Sequence, residues 1–317
     1  MRLATVNDRL VLVSEDAQTC VPAQSVSLLA ALRGGSYAPD GDALALDPAQ
    51  CAAPLPVSHT FLDGSAYVNH VDLVRRARGA EMPERFWTDP LMYQGCAVFE
   101  APNAPILADP AWGTDFEAEL AVITGDVPCG ASPEEGAAAI RFVTVLNDIS
   151  LRALIPDELS KGFGFVQSKP PSACAPFAVS PEALPGWDGA RLHGTMCIDL
   201  NGKPFGRVQT GEGMTFDFGQ LVAHAAKTRA LPAGTVIGSG TVSNRDAQGG
   251  PGQPVADGGL GYACIAEQRT VETLAHGGPR TPFLTEGDQV TIWFEDTEGN
   301  RPFGDISQTV KHRAGHD

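Results

Sequence analysis

The stretch Thr114-Asp115-Phe116-Glu117-Ala118-Glu119-Leu120 alternates polar and apolar side chains and runs on into apolar Ala121-Val122-Ile123. Side chains in a strand point alternately to its two faces. The pattern therefore predicts a strand with Asp115, Glu117 and Glu119 on one side and Phe116, Ala118 and Leu120 on the other. Two glutamates about 7 Å apart along a strand repel each other unless a cation or a proton lies between them. If further acids gather at this face, it suits a hard divalent ion held by oxygen ligands. Without them it is an ordinary half-exposed strand facing water.

The rest of the chain narrows the function classes. Its 317 residues, 43% of them hydrophobic, are enough for one large domain or two, with a sizeable core. A formal net charge of −16 leaves no basic footprint, which argues against a nucleic acid or an anionic membrane as partner. The seven cysteines are scattered and never form a C-x-x-C pair, so they are expected to be reduced structural residues and not zinc ligands or a disulfide frame. Met1-Arg2-Leu3 leads at once into strand-like sequence, with no signal-peptide run and no apolar stretch of membrane-spanning length. The expected compartment is the cytoplasm.

In chain order, residues 3 to 14 predict a hairpin about Asn7-Asp8, and Ala23 to Leu32 a short helix closed by Gly34-Gly35. The proline-rich, aperiodic residues 36 to 58 read as a connection, giving a small N-terminal domain over 1–58 and a main domain over 59–317. Tyr67, Val71 and Val74, with Gly79 beyond, predict a helix that begins just after Asp63 and carries His70. Ser132-Pro133-Glu134-Glu135 is a capping box leading to a helix, followed by a strand Phe142 to Leu146. Strands are predicted on either side of Asn201-Gly202, a helix capped by Thr215, then strands at Gly234 to Ser239, Tyr262 to Glu267 and Gln289 to Glu295 before a short polar tail. The glycine- and proline-rich segment from Gln248 to Gly259 reads as a mobile loop. The class is mainly β with helices interspersed, α+β.

Several residues are candidates for chemistry, each with a plainer reading beside it. Asp63 and His70 are seven residues apart, about 10 Å of helical rise, so Asp63 can hold a metal while His70 faces a substrate on it; otherwise His70 is a surface histidine. Asp148 ends a buried strand and is either a fourth carboxylate ligand or a turn former. Lys169 is either a surface lysine or a fixed positive charge for an oxyanion. One of the arginines at 75, 76 and 78 is a candidate for a distal substrate carboxylate.

Taken together, Asp63 seven before His70, Glu117-x-Glu119, Asn147-Asp148 with Arg152, Lys169, and Gly238-Ser239-Gly240-Thr241 make the chain resemble the fumarylacetoacetate hydrolase family over nearly all of residues 59–317. The resemblance implies a mixed β-strand roll, preceded more loosely by a small barrel-like N-terminal domain, and a homodimer. It implies that Asp63, Glu117, Glu119 and Asp148 hold Mg²⁺ or Ca²⁺, with Mn²⁺ as a further candidate. It makes His70 the base and Glu267 the residue that orients it. Lys169, Arg152 and Thr241 become substrate or oxyanion contacts, and Tyr93 lines the pocket. The chain departs from the family pattern at Ala173, where a threonine is common, and at Leu154-Ile155-Pro156, where fumarylacetoacetate-cleaving members carry glutamine and tyrosine.

The residue types fit a metal-dependent hydrolase that splits a carbon–carbon bond in a 2,4-dioxo acid. Histidine supplies the base, the divalent ion a Lewis acid and lysine a fixed charge. The alternatives are a decarboxylase, isomerase or hydratase of 2-oxo acids from aromatic breakdown, and a non-catalytic β-rich protein with a structural Ca²⁺, which would need neither His70 nor Lys169.

Overall fold

A computed structural model describes residues 1–77 and 79–312. Arg78, one of the three arginines considered for a distal carboxylate, and residues 313–317 of the polar tail lie outside the described residues. The chain is mainly β with helices, and its described residues form a 13-stranded mixed sheet, a five-stranded sheet and a two-stranded ribbon.

The Ala118–Thr124 strand runs through the large sheet between two antiparallel neighbours, Ile140–Asn147 and Thr235–Gly238. All seven of its residues are buried. That is why this piece of sequence is apolar apart from Glu119 and Thr124: a strand covered on both faces has no solvent side for polar residues. Beyond Thr235–Gly238 the sheet continues with Thr60–Gly64, parallel to it, and then with Met92–Gly95, antiparallel. This order decides where the acids meet. Glu119 is on the Ala118–Thr124 strand, Asp63 pairs with Gly238 two strands away, and Asp148 directly follows Ile140–Asn147.

The opening hairpin forms as expected, Arg2–Val6 against Arg9–Val13, with Asn7 and Asp8 both in the left-handed region that a two-residue turn demands. Its first strand also pairs with Ala178–Val179, so residues ahead of position 59 hydrogen-bond directly into the large sheet. The five-stranded sheet contains the second expected hairpin, Thr195–Leu200 and Lys203–Gln209, followed by Gln289–Glu295, Asp305–His312 and Ile106–Ala108. Leu120, Val122 and Val145 from the large sheet and Met196, Ile198 and Phe294 from the smaller one belong to a single buried apolar cluster that joins the two.

Five local expectations are corrected. The acidic stretch is not one strand: Thr114–Asp115 pairs with Ser150–Leu151, the chain breaks at Phe116-Glu117, and a new strand starts at Ala118. Asp63 is not at a helix start but on the Thr60–Gly64 strand, and its helix spans Val68–Ala77. Tyr262 to Glu267 is not a strand. It makes one bridge, Glu117 with Cys264, and then enters the helix Ile265–His276. The helix assigned to Thr215 is capped instead by Asp217, in a reciprocal box with Gln220, and runs Phe218–Ala226. The predicted helix from Ala23 to Leu32 shortens to Leu28–Leu32 behind the Ser27 cap.

Candidate active site

The two glutamates of the central stretch go to different partners because the chain breaks between them. Glu119 is fully buried and neither of its carboxylate oxygens has a hydrogen-bond partner among the described residues. Its neighbours are acids: Asp63, Glu119 and Asp148 each present an oxygen, all within 4.8 Å of one another. Gly238 makes room for them, since a Cβ there would stand 2.4 Å from Asp63 Oδ1 and 3.1 Å from Glu119 Oε2. The Gly240 amide donates to Asp63 Oδ1 at 3.0 Å.

The electrostatics of this group are unfavourable as they stand. Burial, then Asp148 and Glu117, push the Asp63 carboxyl up to about 7 against the pull of Lys169. Burial and then Asp63, Asp148 and Glu117 hold Glu119 well above the carboxylate range. A buried carboxylate without a donor is costly unless it is protonated or holds a cation. Three converging carboxylates fit a hard divalent ion, whose ligands are oxygens. The donor set and the orphaned oxygens of Glu119 therefore suit the metal implied by the sequence, and Asp63, Glu119 and Asp148 are placed so that they could hold it.

Glu117, expected as a fourth ligand, is 5% exposed and is already paired twice. Its Oε1 accepts from Arg152 Nη2 at 2.7 Å and its Oε2 from Lys169 Nζ at 2.6 Å. Burial opposes its charge, but Arg152 and Lys169 outweigh burial and hold Glu117 below the usual carboxylate range. Lys169 is a buried side chain and not a surface lysine. Its ammonium donates to Glu117, to Asp148 Oδ2 at 2.5 Å and to Ser150 Oγ at 2.7 Å, using all three protons. Burial would lower it, yet Asp148 and Glu117 raise it well above the lysine range. Tyr93 donates its phenol to Asp148 Oδ2 at 2.5 Å, and Ser172 donates to Asp148 Oδ1 at 2.5 Å.

His70 lies on the Val68–Ala77 helix, and its Nδ1 is 2.6 Å from Glu267 Oε2 on the Ile265–His276 helix. The other Glu267 oxygen accepts from Ser243 Oγ at 2.9 Å, and Ser243 in turn accepts from Asn69 Nδ2 at 2.8 Å. With Glu267 ionised, the hydrogen on His70 is assigned to Nδ1, which leaves Nε2 free to accept a proton. The link from this pair to the acids is Glu117: His70, Glu117 and Cys264 also bring one potential ligand atom each within 4.8 Å. That second group is a poor metal site, since burial pushes the Cys264 thiol well up and Glu117 is held by two cations. Thr241 is buried just past Gly240, and among the described residues its side chain makes no hydrogen bond with the acids.

Sequence reasoning missed what Asp115 does. Its two oxygens accept the amides of Ile265 and Ala266 at 2.8 and 2.9 Å, and Arg152 Nε at 2.9 Å. A carboxylate at the first turn satisfies otherwise unpaired amides and complements the helix dipole. Asp115 thus sets the start of the helix that aims Glu267 at His70. Ser243 and Asn69 were also missed, and nothing in their local sequence marks them. His70 and Arg152 line a cavity of ≈ 400 Å³ between the two helices, with Val74, Ala266, Arg269 and Phe283 among the other walls.

Among the described residues, no helix is long and apolar enough to cross a membrane. A comparison with curated proteins finds no match. Solved structures share the fold. A fumarylacetoacetate hydrolase from psychrophilic Exiguobacterium antarcticum has a TM-score of 0.66 at 19% identity, with 99% of this chain and 100% of that one covered. A 5-carboxymethyl-2-hydroxymuconate delta-isomerase from Mycobacterium smegmatis has a TM-score of 0.63 at 20% identity, covering 99% and 100%. A fumarylpyruvate hydrolase from Pseudomonas aeruginosa in complex with Mn²⁺ and pyruvate has a TM-score of 0.55 at 14% identity, covering 81% and 91%. The family model for the C-terminal part of fumarylacetoacetate (FAA) hydrolase matches residues 59–311, and with four-fifths of its length so matched the chain belongs to the fumarylacetoacetate hydrolase family.

Proposed function

We propose that the chain is a divalent-metal-dependent hydrolase that cleaves a carbon–carbon bond in a small 2,4-dioxo acid. The observation that carries this reading is the His70–Glu267 pair at 2.6 Å, tied through Glu117 and Lys169 to a group of buried carboxylates in which Glu119 has no donor among the described residues. A structural ion site would need the acids alone. It would not need a histidine with one nitrogen fixed and the other free. When bound by Asp63, Glu119 and Asp148, the ion supplies a Lewis acid for adjacent oxygens of the substrate.

The chain's own residues divide the remaining work. His70 Nε2 takes a proton from water while Glu267, on Nδ1–H, stabilises the imidazolium that forms. The hydroxide equivalent adds to the carbonyl carbon at position 4. The bond between carbons 3 and 4 then breaks with its electron pair moving onto the carbon 2–carbon 3 unit as an enolate. Return of a proton to carbon 3 gives a 2-oxo acid and a second carboxylic acid. Lys169 and Arg152 keep the site's charge close to balanced, and the Tyr93 phenol remains a donor because burial raises it well above its ordinary value.

The test is a panel of 2,4-dioxo acids followed by loss of ultraviolet absorbance with Mg²⁺, Mn²⁺, Ca²⁺ or EDTA, with products identified by NMR. Cleavage that stops in EDTA, and falls about 10²- to 10⁴-fold in kcat in His70→Ala with metal affinity unchanged, is the expected result. Isomerised or decarboxylated product in place of two acids would overturn the hydrolase reading, and full turnover in His70→Ala would remove the base from the mechanism.

A further inference from the structure

We infer that Arg269 is a specificity-determining residue: it receives an anionic group at the end of the substrate remote from the acids, making the preferred substrate a dianion. The inference rests on the reading of the site given above and adds which acids it selects. The cavity beside His70 is built by two helices that pack side by side, Val68–Ala77 and Ile265–His276. Each contributes one stripe, His70, Val74 and Ala77 from the first and Ala266, Arg269 and Thr273 from the second, at the spacings of three and four that keep side chains on one helix face. Glu267 thus reaches His70 while Arg269, two residues on, lines the cavity next to it.

The charges of the two arginines in this lining differ in how they are met. Arg152 is neutralised by Asp115 and Glu117 at 2.9 and 2.7 Å. Arg269 has no acidic partner in an ion pair among the described residues. Its guanidinium lies over the Phe283 ring, 4.2 Å from the centroid, and one arm donates to the backbone carbonyl of Thr281. Those two contacts fix the plane of the group without cancelling its charge, and leave further N–H donors. In a chain of net charge −16, a fixed, uncompensated guanidinium in a cavity wall is a local reversal of sign. A carboxylate is the group its forked donors match best. The aliphatic walls at Val74, Ala77 and Ile155 suit a short hydrocarbon spacer between that carboxylate and the reacting end.

The test measures binding without turnover, on Mg²⁺-loaded protein by calorimetry. The probes are 2-oxoheptanedioate and 2-oxoheptanoate, which share the 2-oxo acid end, lack the 4-oxo group and differ only in the distal carboxylate. The wild type is expected to prefer the dianion by about tenfold to a hundredfold, the usual worth of a charge-assisted hydrogen bond. Arg269→Met is expected to lose that preference while binding the monoanion unchanged, and Arg269→Lys to keep part of it. No preference in the wild type, or equal weakening of both probes in Arg269→Met, overturns the assignment and leaves Arg269 as a packing residue on Phe283. Turnover of the corresponding 2,4-dioxo pair separately decides whether the chemistry is hydrolysis, so either reading can fail alone.

Discussion

Replacing Glu119 by glutamine separates the two states in which this site can exist. Without metal, Glu119 is held neutral by burial and by the acids around it, and glutamine is nearly isosteric with the neutral acid. Asp63 sets the size of the pH effect. Its carboxyl is raised from 3.8 to about 7, so between those values the folded chain keeps a proton that the unfolded chain has released. A raised carboxylate stabilises the fold at low pH, and that stability is lost as pH climbs through the folded value. At about 1.36 kcal/mol per unit the loss is on the order of 4 kcal/mol by pH 7 to 8. About 2 kcal/mol of that loss falls between pH 5.5 and pH 8, so for a chain of this size, at about 2 °C per kcal/mol, the metal-free wild type should melt about 4 °C lower at pH 8 than at pH 5.5. Saturating Mg²⁺ or Mn²⁺, at about a hundred times Kd, adds about 2.7 kcal/mol and restores about 5 °C. Scanning calorimetry at the two pH values, with EDTA or metal, reads all of this. Glu119→Gln should melt within a few degrees of wild type in EDTA and show no metal increment. The reasoning fails if the wild type in EDTA melts at the same temperature at both pH values, or if Glu119→Gln keeps the full increment.

Two further outcomes follow from the same geometry. Lys169→Met leaves Glu117 with only Arg152 and Asp148 with only hydroxyl donors; the metal-free protein should lose about 3–5 kcal/mol in urea unfolding, part of it recovered with metal, and an unchanged midpoint would return Lys169 to a minor role. Ser243→Ala unties one Glu267 oxygen and should lower kcat about tenfold or more with KM nearly constant, while Ser243→Thr stays near wild type; equal losses in both variants would mean that packing, not the hydroxyl, matters there.

The acids, His70 and Lys169 were legible because their residue types are rare in apolar surroundings and their order along the chain is characteristic. Their roles in the sheet were less so. Asp63 was placed at a helix start because its strand is only five residues long and glycine and serine follow it at once. The run from Tyr262 was read as a strand since a short apolar run carries no period of its own. Cys264 caps the helix locally through the Glu267 amide, but the Ile265 and Ala266 amides are met by the carboxylate of Asp115, some 150 residues earlier in the chain, and no local pattern can show that. The Asp305–His312 strand was lost in a polar tail because its exposed positions carry Asp, Ser and Thr, and its pairing to Gln289–Glu295 supplies the order that its composition does not. The divided fate of Glu117 and Glu119 depends on the break at Phe116-Glu117, which alternation alone does not reveal.

The parallel pairing of Thr60–Gly64 with Thr235–Gly238 has a consequence for the growing chain. The Gly240 amide that holds Asp63 is 177 residues away in sequence, which is roughly ten to thirty-five seconds of synthesis. During that interval the strand that must separate Asp63 from Glu119 has not left the ribosome, and the acids remain hydrated instead of crowded. Their mutual repulsion is met only when the last quarter of the chain arrives. An ion held by these acids would accordingly be loaded late, and nascent fragments that stop short of residue 235 should bind none at this site.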